Sequence, residues 1–346
     1  MIVFNNIDSG LTEVYLGDDS ISEVYIGDER VFPEGAPILN NKVLVTYTNG
    51  QTYEVECNSS TTLTSNEIMD GPNGKSYVYD AEIGNCTTAL DYECFYNCTN
   101  LTSVTIPNSV ISIGGCGFQG CKHLQSVEIP NSVTSLGTYV FSGCTYLNSV
   151  VLGDGITSIP YQGFYKCSSL SSINIPTGVT IIDTAAFNGC SALSSITIPS
   201  SITSINGAPF QGCSSLTSVT LNSNAIASKT YSSGSDGMQW MFGTQVRNYI
   251  LGGDVTSIGN YAFYGCSELR SVTIPSGVTS MGVASFSGCS LMMNMTIEAT
   301  TPPTLGARAL EGSTTYLKIY VPSESVEVYK AASGWSTYAS KIQAIP

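Results

Sequence analysis

A cysteine recurs every 23 residues from Cys98 to Cys213, at 98, 121, 144, 167, 190 and 213. Thiols at fixed intervals could pair as disulfides, ligate a metal or act as nucleophiles. Neighbouring coils of a repeat could meet the Cα separation of about 4.4 to 6.8 Å that a disulfide needs. Each of these cysteines, however, closes one recurring phrase, as in Phe118-Gln-Gly-Cys121, Phe141-Ser-Gly-Cys144 and Phe187-Asn-Gly-Cys190. Their placement follows a repeat and not a loop-stapling pattern, so they read as small, reduced, buried apolar groups. Cys94-Phe-Tyr-Asn-Cys98 and Cys116-Gly-Phe-Gln-Gly-Cys121 bring thiols close in sequence. Their spacings do not match the two-residue knuckles of zinc sites, and Phe95 and Phe118 stand between them.

The other chemistry-bearing residues are sparse. His123 is the one histidine and reads as a solvated turn residue. The many serines fall at repeat-equivalent positions, whereas a nucleophilic serine needs a unique elbow with a base in reach. Asp18-Asp19 and Asp28-Glu29 read as solvated acidic turns, because they lack the alternating oxygen ligands of an EF-hand loop. No catalytic residue, metal or cofactor is assigned, and the chain is read as non-enzymatic.

Binding chemistry is expected instead on the outward row of a strand that returns in every repeat. Ser103, Ser126, Ser149, Ser172, Ser195, Ser218 and Ser271 form one polar column, and Thr105, Glu128, Asn174, Thr197, Thr220 and Thr273 form the next. Small hydroxyls keep a parallel sheet soluble; they also make a flat, weakly charged platform. Tyr231 and Trp240, nearby, are expected to add aromatic contact to a protein or glycan partner.

The elements that position these residues follow from the repeat. In the best-formed unit Leu101, Val104 and Ile106 alternate with Ser103 and Thr105, and Val110 and Ile113 follow the Pro107-Asn108 turn. That pattern predicts two short strands per coil joined by a turn. Phenylalanines at 95, 118, 141, 164, 187, 210, 263 and 286 mark a third corner and predict a stacked hydrophobic column. A fixed period in the 20 to 50 residue range overrides the multi-domain prior of a 346-residue chain and specifies a solenoid. The beat is skipped once. Cys266 follows Cys213 by 53 residues, about seven more than two coils, and the excess lies in the Ser-, Gly- and Asn-rich stretch 222–237, expected to be a loop.

Outside the repeat, Thr12-Glu-Val-Tyr-Leu-Gly-Asp18 is echoed by Ser22-Glu-Val-Tyr-Ile-Gly-Asp28. These strand-and-turn phrases predict an acidic β attachment module over 1–37, with Tyr15, Tyr25 and Phe32 as candidate contacts. Residues 38–76 hold a hairpin about Asn49-Gly50 that caps the open end of the solenoid, which spans 77–313. Residues 314–346 supply a last strand and a short helix over Ser325–Ala332, anchored by Trp335 and Tyr338.

Charge narrows the partners. The chain carries 12 Lys plus Arg against 26 Asp plus Glu, a formal net charge of −14, with no basic stripe, so nucleic acid is excluded as a partner. The amino end shows neither a basic n-region nor an apolar h-region, and no run reaches 18 apolar residues, so neither export signal nor membrane span is expected.

With the phrases Leu101-Thr-Ser-Val-Thr-Ile-Pro-Asn-Ser-Val110 and Phe141-Ser-Gly-Cys144 in view, residues 77–321 resemble the BspA-like leucine-rich repeats of bacterial surface proteins. The resemblance implies a β-rich, right-handed leucine-rich-repeat solenoid with parallel sheets, used for adhesion and recognition. The phrase Ser22-Glu-Val-Tyr-Ile-Gly-Asp-Glu-Arg-Val-Phe-Pro33 resembles short modules of structural proteins encoded by phages and prophages of gut bacteria. Together these lead to a virion-associated fibre or decoration protein, held by its amino end to another virion protein or a second copy. The alternative is a bacterial cell-surface adhesin of the BspA-like type.

Overall fold

The computed structural model describes residues 78–85, 87–232 and 236–346 in full, with 62–64 and Lys75. It also gives the backbone of the strands Leu16–Gly17, Ser20–Ile21, Tyr25–Ile26, Glu29–Arg30, Lys42–Tyr47 and Thr52–Glu56. About 12 turns stack into a parallel β-solenoid.

The regular coils have the two strands that the alternation predicts, for example Ser126–Ile129 and Ser135–Leu136. In the first, Val127 and Ile129 point inward and Ser126 and Glu128 outward, since successive side chains of a strand alternate faces. Register is in phase with the repeat: Ser126 pairs with Ser149 and Val127 with Val150, in parallel. The inward columns are therefore apolar and the outward columns mainly polar, an assignment that a one-residue slip would reverse. Between the strands lies the proline turn, closed by Val133 N–H donating to the Pro130 carbonyl at 3.1 Å. Proline has no N–H for a ladder, so it marks the strand end.

The Phe-Xaa-Gly-Cys phrase makes the third corner. It turns sharply because a residue there takes positive φ, as at Gly143 (φ +76°), a conformation that glycine enters without a Cβ penalty. Lys166 occupies the same place one coil later at φ +57°. Inside this corner the phenylalanine rings stack: Phe95 to Phe118 at 5.1 Å, then onward through Phe141, Phe164 and Phe187 to Phe210. All six are fully buried.

The stretch 222–237 departs from the loop expected of it. Its described part begins with the helix Asn224–Ala227, capped by Ser223, whose Oγ accepts from Ile226 N–H at 3.2 Å. A second helix, Met238–Phe242, follows and carries Phe242 into the ring column 5.0 Å from Phe210. The column then turns: Tyr249 stands edge-on between Phe242 and Phe263. Composition suggested a loop, but Ile226, Ala227 and Met238 are apolar and buried, so the extra residues fill their coil from within.

Both ends are covered. Lys42–Tyr47 and Thr52–Glu56 form the expected antiparallel hairpin, and Lys42–Tyr47 pairs antiparallel with Val78–Glu82 at the start of the parallel sheet. At the other end the helix Val326–Ala331 lies over the last coils, and Trp335 is buried with its Nε1 donating to the Pro303 carbonyl at 2.7 Å. Tyr338 packs half-buried against the core. A further strand, Ile342–Ala344, joins Lys318–Val321 in parallel. Three residues after a short helical turn gave no strand pattern in the sequence.

Candidate functional site

The outward columns form as the spacing requires, because the i to i+23 register places equivalent residues side by side. Ser103, Thr105, Ser126, Glu128, Ser149, Ser172, Asn174, Ser195 and Thr197 are exposed. Ser218, Thr220, Ser271 and Thr273 are half-buried, flanked by the longer Asn248 and Ile250 on the strand between them. Some hydroxyls are tied along the column: Ser103 Oγ donates to Asp80 Oδ1 at 2.5 Å and Ser271 Oγ to Asn248 Oδ1 at 2.7 Å.

Two exposed apolar residues in the Thr105 column escaped sequence reasoning. Val151 is 56% exposed and Ile250 48% exposed, each at an outward strand position. The signal was available, since Val151 stands 23 residues after Glu128, but an apolar residue in a strand is read as inward by default. Where the first strands of three coils meet the turns that follow them, a groove of about 960 Å³ opens. Thr105, Glu128 and Val151 line it with Pro107, Pro130 and Asp154. Two carboxylates beside an exposed valine make a surface that accepts hydrogen bonds and cations around an apolar centre.

Tyr231 does not belong to this surface. It is 3% exposed, and its Oη donates to the Ile226 carbonyl at 2.7 Å. Burial, followed by the nearby Asp236 carboxylate, pushes its phenol well above the ordinary range. The residue anchors the extra segment because its ring completes the apolar filling of that coil. Trp240 does reach the surface, at 41% exposure, but on the corner that carries the phenylalanine phrase and not on the strand face. Tyr15 and Phe32 lie outside the described residues; Tyr25 opens a two-residue strand, and its side chain is likewise outside them.

The thiols are packing groups. The ten cysteines whose side chains are described are buried, and none of these ten is in a disulfide. Burial raises the thiols of Cys144, Cys167 and Cys190 well above the ordinary value, and those of Cys213 and Cys266 to about 12. Burial that disfavours the thiolate makes these thiols poor nucleophiles. Among the described residues no cluster of three or more His, Cys, Asp or Glu could hold a metal ion. His123 is exposed, as a turn histidine should be, with Nδ1 2.7 Å from the Thr99 carbonyl and its ring stacked on Tyr146. Among the described residues no helix is long and apolar enough to cross a membrane.

Comparison with known proteins places this geometry. A family model described as a BspA type leucine rich repeat region matches six copies, over residues 88–217 and 239–336. Among solved structures, a leucine-rich repeat protein from Bacteroides ovatus is 21% identical, with 99% of this chain and 100% of that chain covered and a TM-score of 0.38. A leucine rich cell surface protein from Faecalibacterium prausnitzii is 22% identical, with 86% and 95% covered and a TM-score of 0.34. The T. pallidum leucine rich repeat protein is 25% identical, with 62% and 83% covered and a TM-score of 0.35. The curated proteins contain no match.

Proposed function

The chain belongs to the BspA-type leucine-rich repeat family, and from that premise we propose that it is a non-enzymatic recognition protein of the bacterial cell surface. The solenoid is the display element, and its outward strand columns are the contact face. One observation carries the reading: Val151 and Ile250, two large apolar side chains, stand in solvent on an otherwise polar, in-register face. Each offers apolar area that a partner seated on the face would bury. Ser103, Ser126, Ser149, Ser172 and Ser195, with Thr105, Glu128, Asn174 and Thr197, supply the hydrogen-bonding surround.

The surface reading is preferred to the virion reading for a definite reason. The family match covers the repeats and runs into the carboxyl-terminal cap, whereas the virion reading drew on residues 1–37, outside both matched ranges. Partners of this surface would be a host protein or a glycan.

The test is adherence. The full chain is displayed on a non-adherent bacterium and offered immobilised matrix proteins and epithelial glycans. Adherence that falls when Val151 and Ile250 are both replaced by lysine supports the reading. Equal adherence of displaying and non-displaying cells to every surface sinks it.

A further inference from the structure

On the edge that follows each Phe-Xaa-Gly-Cys phrase, backbone hydrogen bonds tie coil to coil. Tyr146 N–H donates to the Lys122 carbonyl at 3.1 Å, Ser169 to Thr145 at 3.2 Å and Ala192 to Ser168 at 3.1 Å. The ladder sets His123, Tyr146, Ser169 and Ala192 as successive rungs of one column.

The first two rungs are aromatic. Their rings lie 5.2 Å apart and 14° from parallel, the spacing of the buried phenylalanine stack, yet both stand outside. Tyr146 is 58% exposed. The His123 ring is fixed by its Nδ1 contact with the Thr99 carbonyl, so it backs one face of Tyr146. On the other side the column falls to serine and then alanine. The opposite face of Tyr146 therefore looks onto a rung one coil thick, about 4.8 Å at parallel-strand spacing, floored by small side chains.

A ligand that fills that rung must be flat, about one ring thick, apolar on its face and polar at its rim. Thr145, Asn148 and Ser168, close by along the chain, offer uncharged hydrogen-bonding groups, and Lys122, whose carbonyl accepts the Tyr146 N–H, adds one exposed cation to that edge. The π face of tyrosine carries negative quadrupole density and attracts polarised C–H groups. A pyranose offers such C–H groups on its face and hydroxyls around its edge. The net charge of −14 disfavours phosphate-bearing rings such as nucleotides. We propose that Tyr146, backed by His123, is the stacking platform for a neutral hexopyranose unit of a glycan, seated over Ser169 and Ala192. The proposal rests on the recognition reading above and assigns a glycan contact on an edge distinct from the strand columns.

Purified full-length protein is titrated with cellohexaose, mannohexaose and N-acetylchitohexaose, with thermal unfolding of each variant as a check on folding. At least one oligosaccharide binds the unaltered protein. Tyr146→Ala weakens that binding about tenfold, and Tyr146→Phe stays within about twofold, since a stacked pair contributes at most about 1.5 kcal/mol and 1.4 kcal/mol is tenfold. Ser169→Tyr, which supplies a third ring to the vacant rung, abolishes it. The proposal is overturned if none of the three oligosaccharides binds, or if binding ignores both Tyr146→Ala and Ser169→Tyr. Displayed cells that adhere although none of the three oligosaccharides binds the purified protein would overturn this site alone and leave the surface reading standing. Soluble binding without cell adherence would do the reverse.

Discussion

The thiol of Cys144 donates to the carbonyl of Phe118, 26 residues earlier, at 3.1 Å. That carbonyl already accepts the N–H of Cys121 in its own coil at 3.2 Å, so one oxygen ties two coils together. The bond recurs from Cys121 to Phe95, Cys167 to Phe141, Cys190 to Phe164 and Cys213 to Phe187. The 23-residue cysteine beat is therefore a structural stitch, made where the ring column passes. Cys144→Ala removes the stitch and leaves a small void. It is expected to cost about 1–2 kcal/mol, the sum of a lost hydrogen bond and an unfilled sulfur position. Urea denaturation measures it, and an unchanged midpoint would contradict the assignment.

The same burial predicts an alkaline limit. In the fold Cys213 and Cys266 hold their protons up to about 12, against an ordinary thiol value of 9.0. Above pH 9 the unfolded chain sheds thiol protons that the folded chain keeps, so stability is full below 9 and falls as pH rises toward 12. Denaturation midpoints across pH 7 to 12 follow that slope. In the native protein at pH 8 an alkylating reagent should leave these thiols unmodified, and modify them once urea is added.

Phe164 sits in mid-column, 5.5 Å from Phe141 and 5.3 Å from Phe187. Phe164→Ala empties one rung between two rings and is expected to cost about 3–5 kcal/mol. Because coils touch only their neighbours, the loss should appear as broadened unfolding around that coil and not as a uniform shift. Hydrogen exchange resolves the two.

Most of the scaffold was legible in the sequence, because a solenoid writes each contact once per period. Ile83 and Ile106, or Leu90 and Ile113, could be matched by counting 23, and the latter pair is in register in the sheet. What the period could not reveal lies where it breaks. The Ser- and Gly-rich composition of 222–237 disguised the short helix Asn224–Ala227, and Tyr231 looked like a surface aromatic because its burial depends on how the extra residues fold back. The outward columns were located, but Val151 and Ile250 were overlooked within them, since strand periodicity assigns faces and not function. The His123–Tyr146 pair was hidden for a similar reason: each residue alone reads as a turn, and only stacking makes a platform.

The two aromatics of the extra segment separate packing from recognition. Tyr231→Ala should destabilise by about 3 kcal/mol or more, as the loss of a buried ring and its hydrogen bond to Ile226 requires. Trp240→Ala, at an exposed position, should stay within about 0.5 kcal/mol. Thermal unfolding of the two variants compares them directly, and equal losses would refute the division.

The central claim is that this family member is displayed on the bacterial surface, and the direct measurement is antibody labelling of intact cells that produce it. Label on unbroken cells, removed by external protease, is the predicted result. Label that appears only after lysis, or that follows purified phage particles, would contradict it.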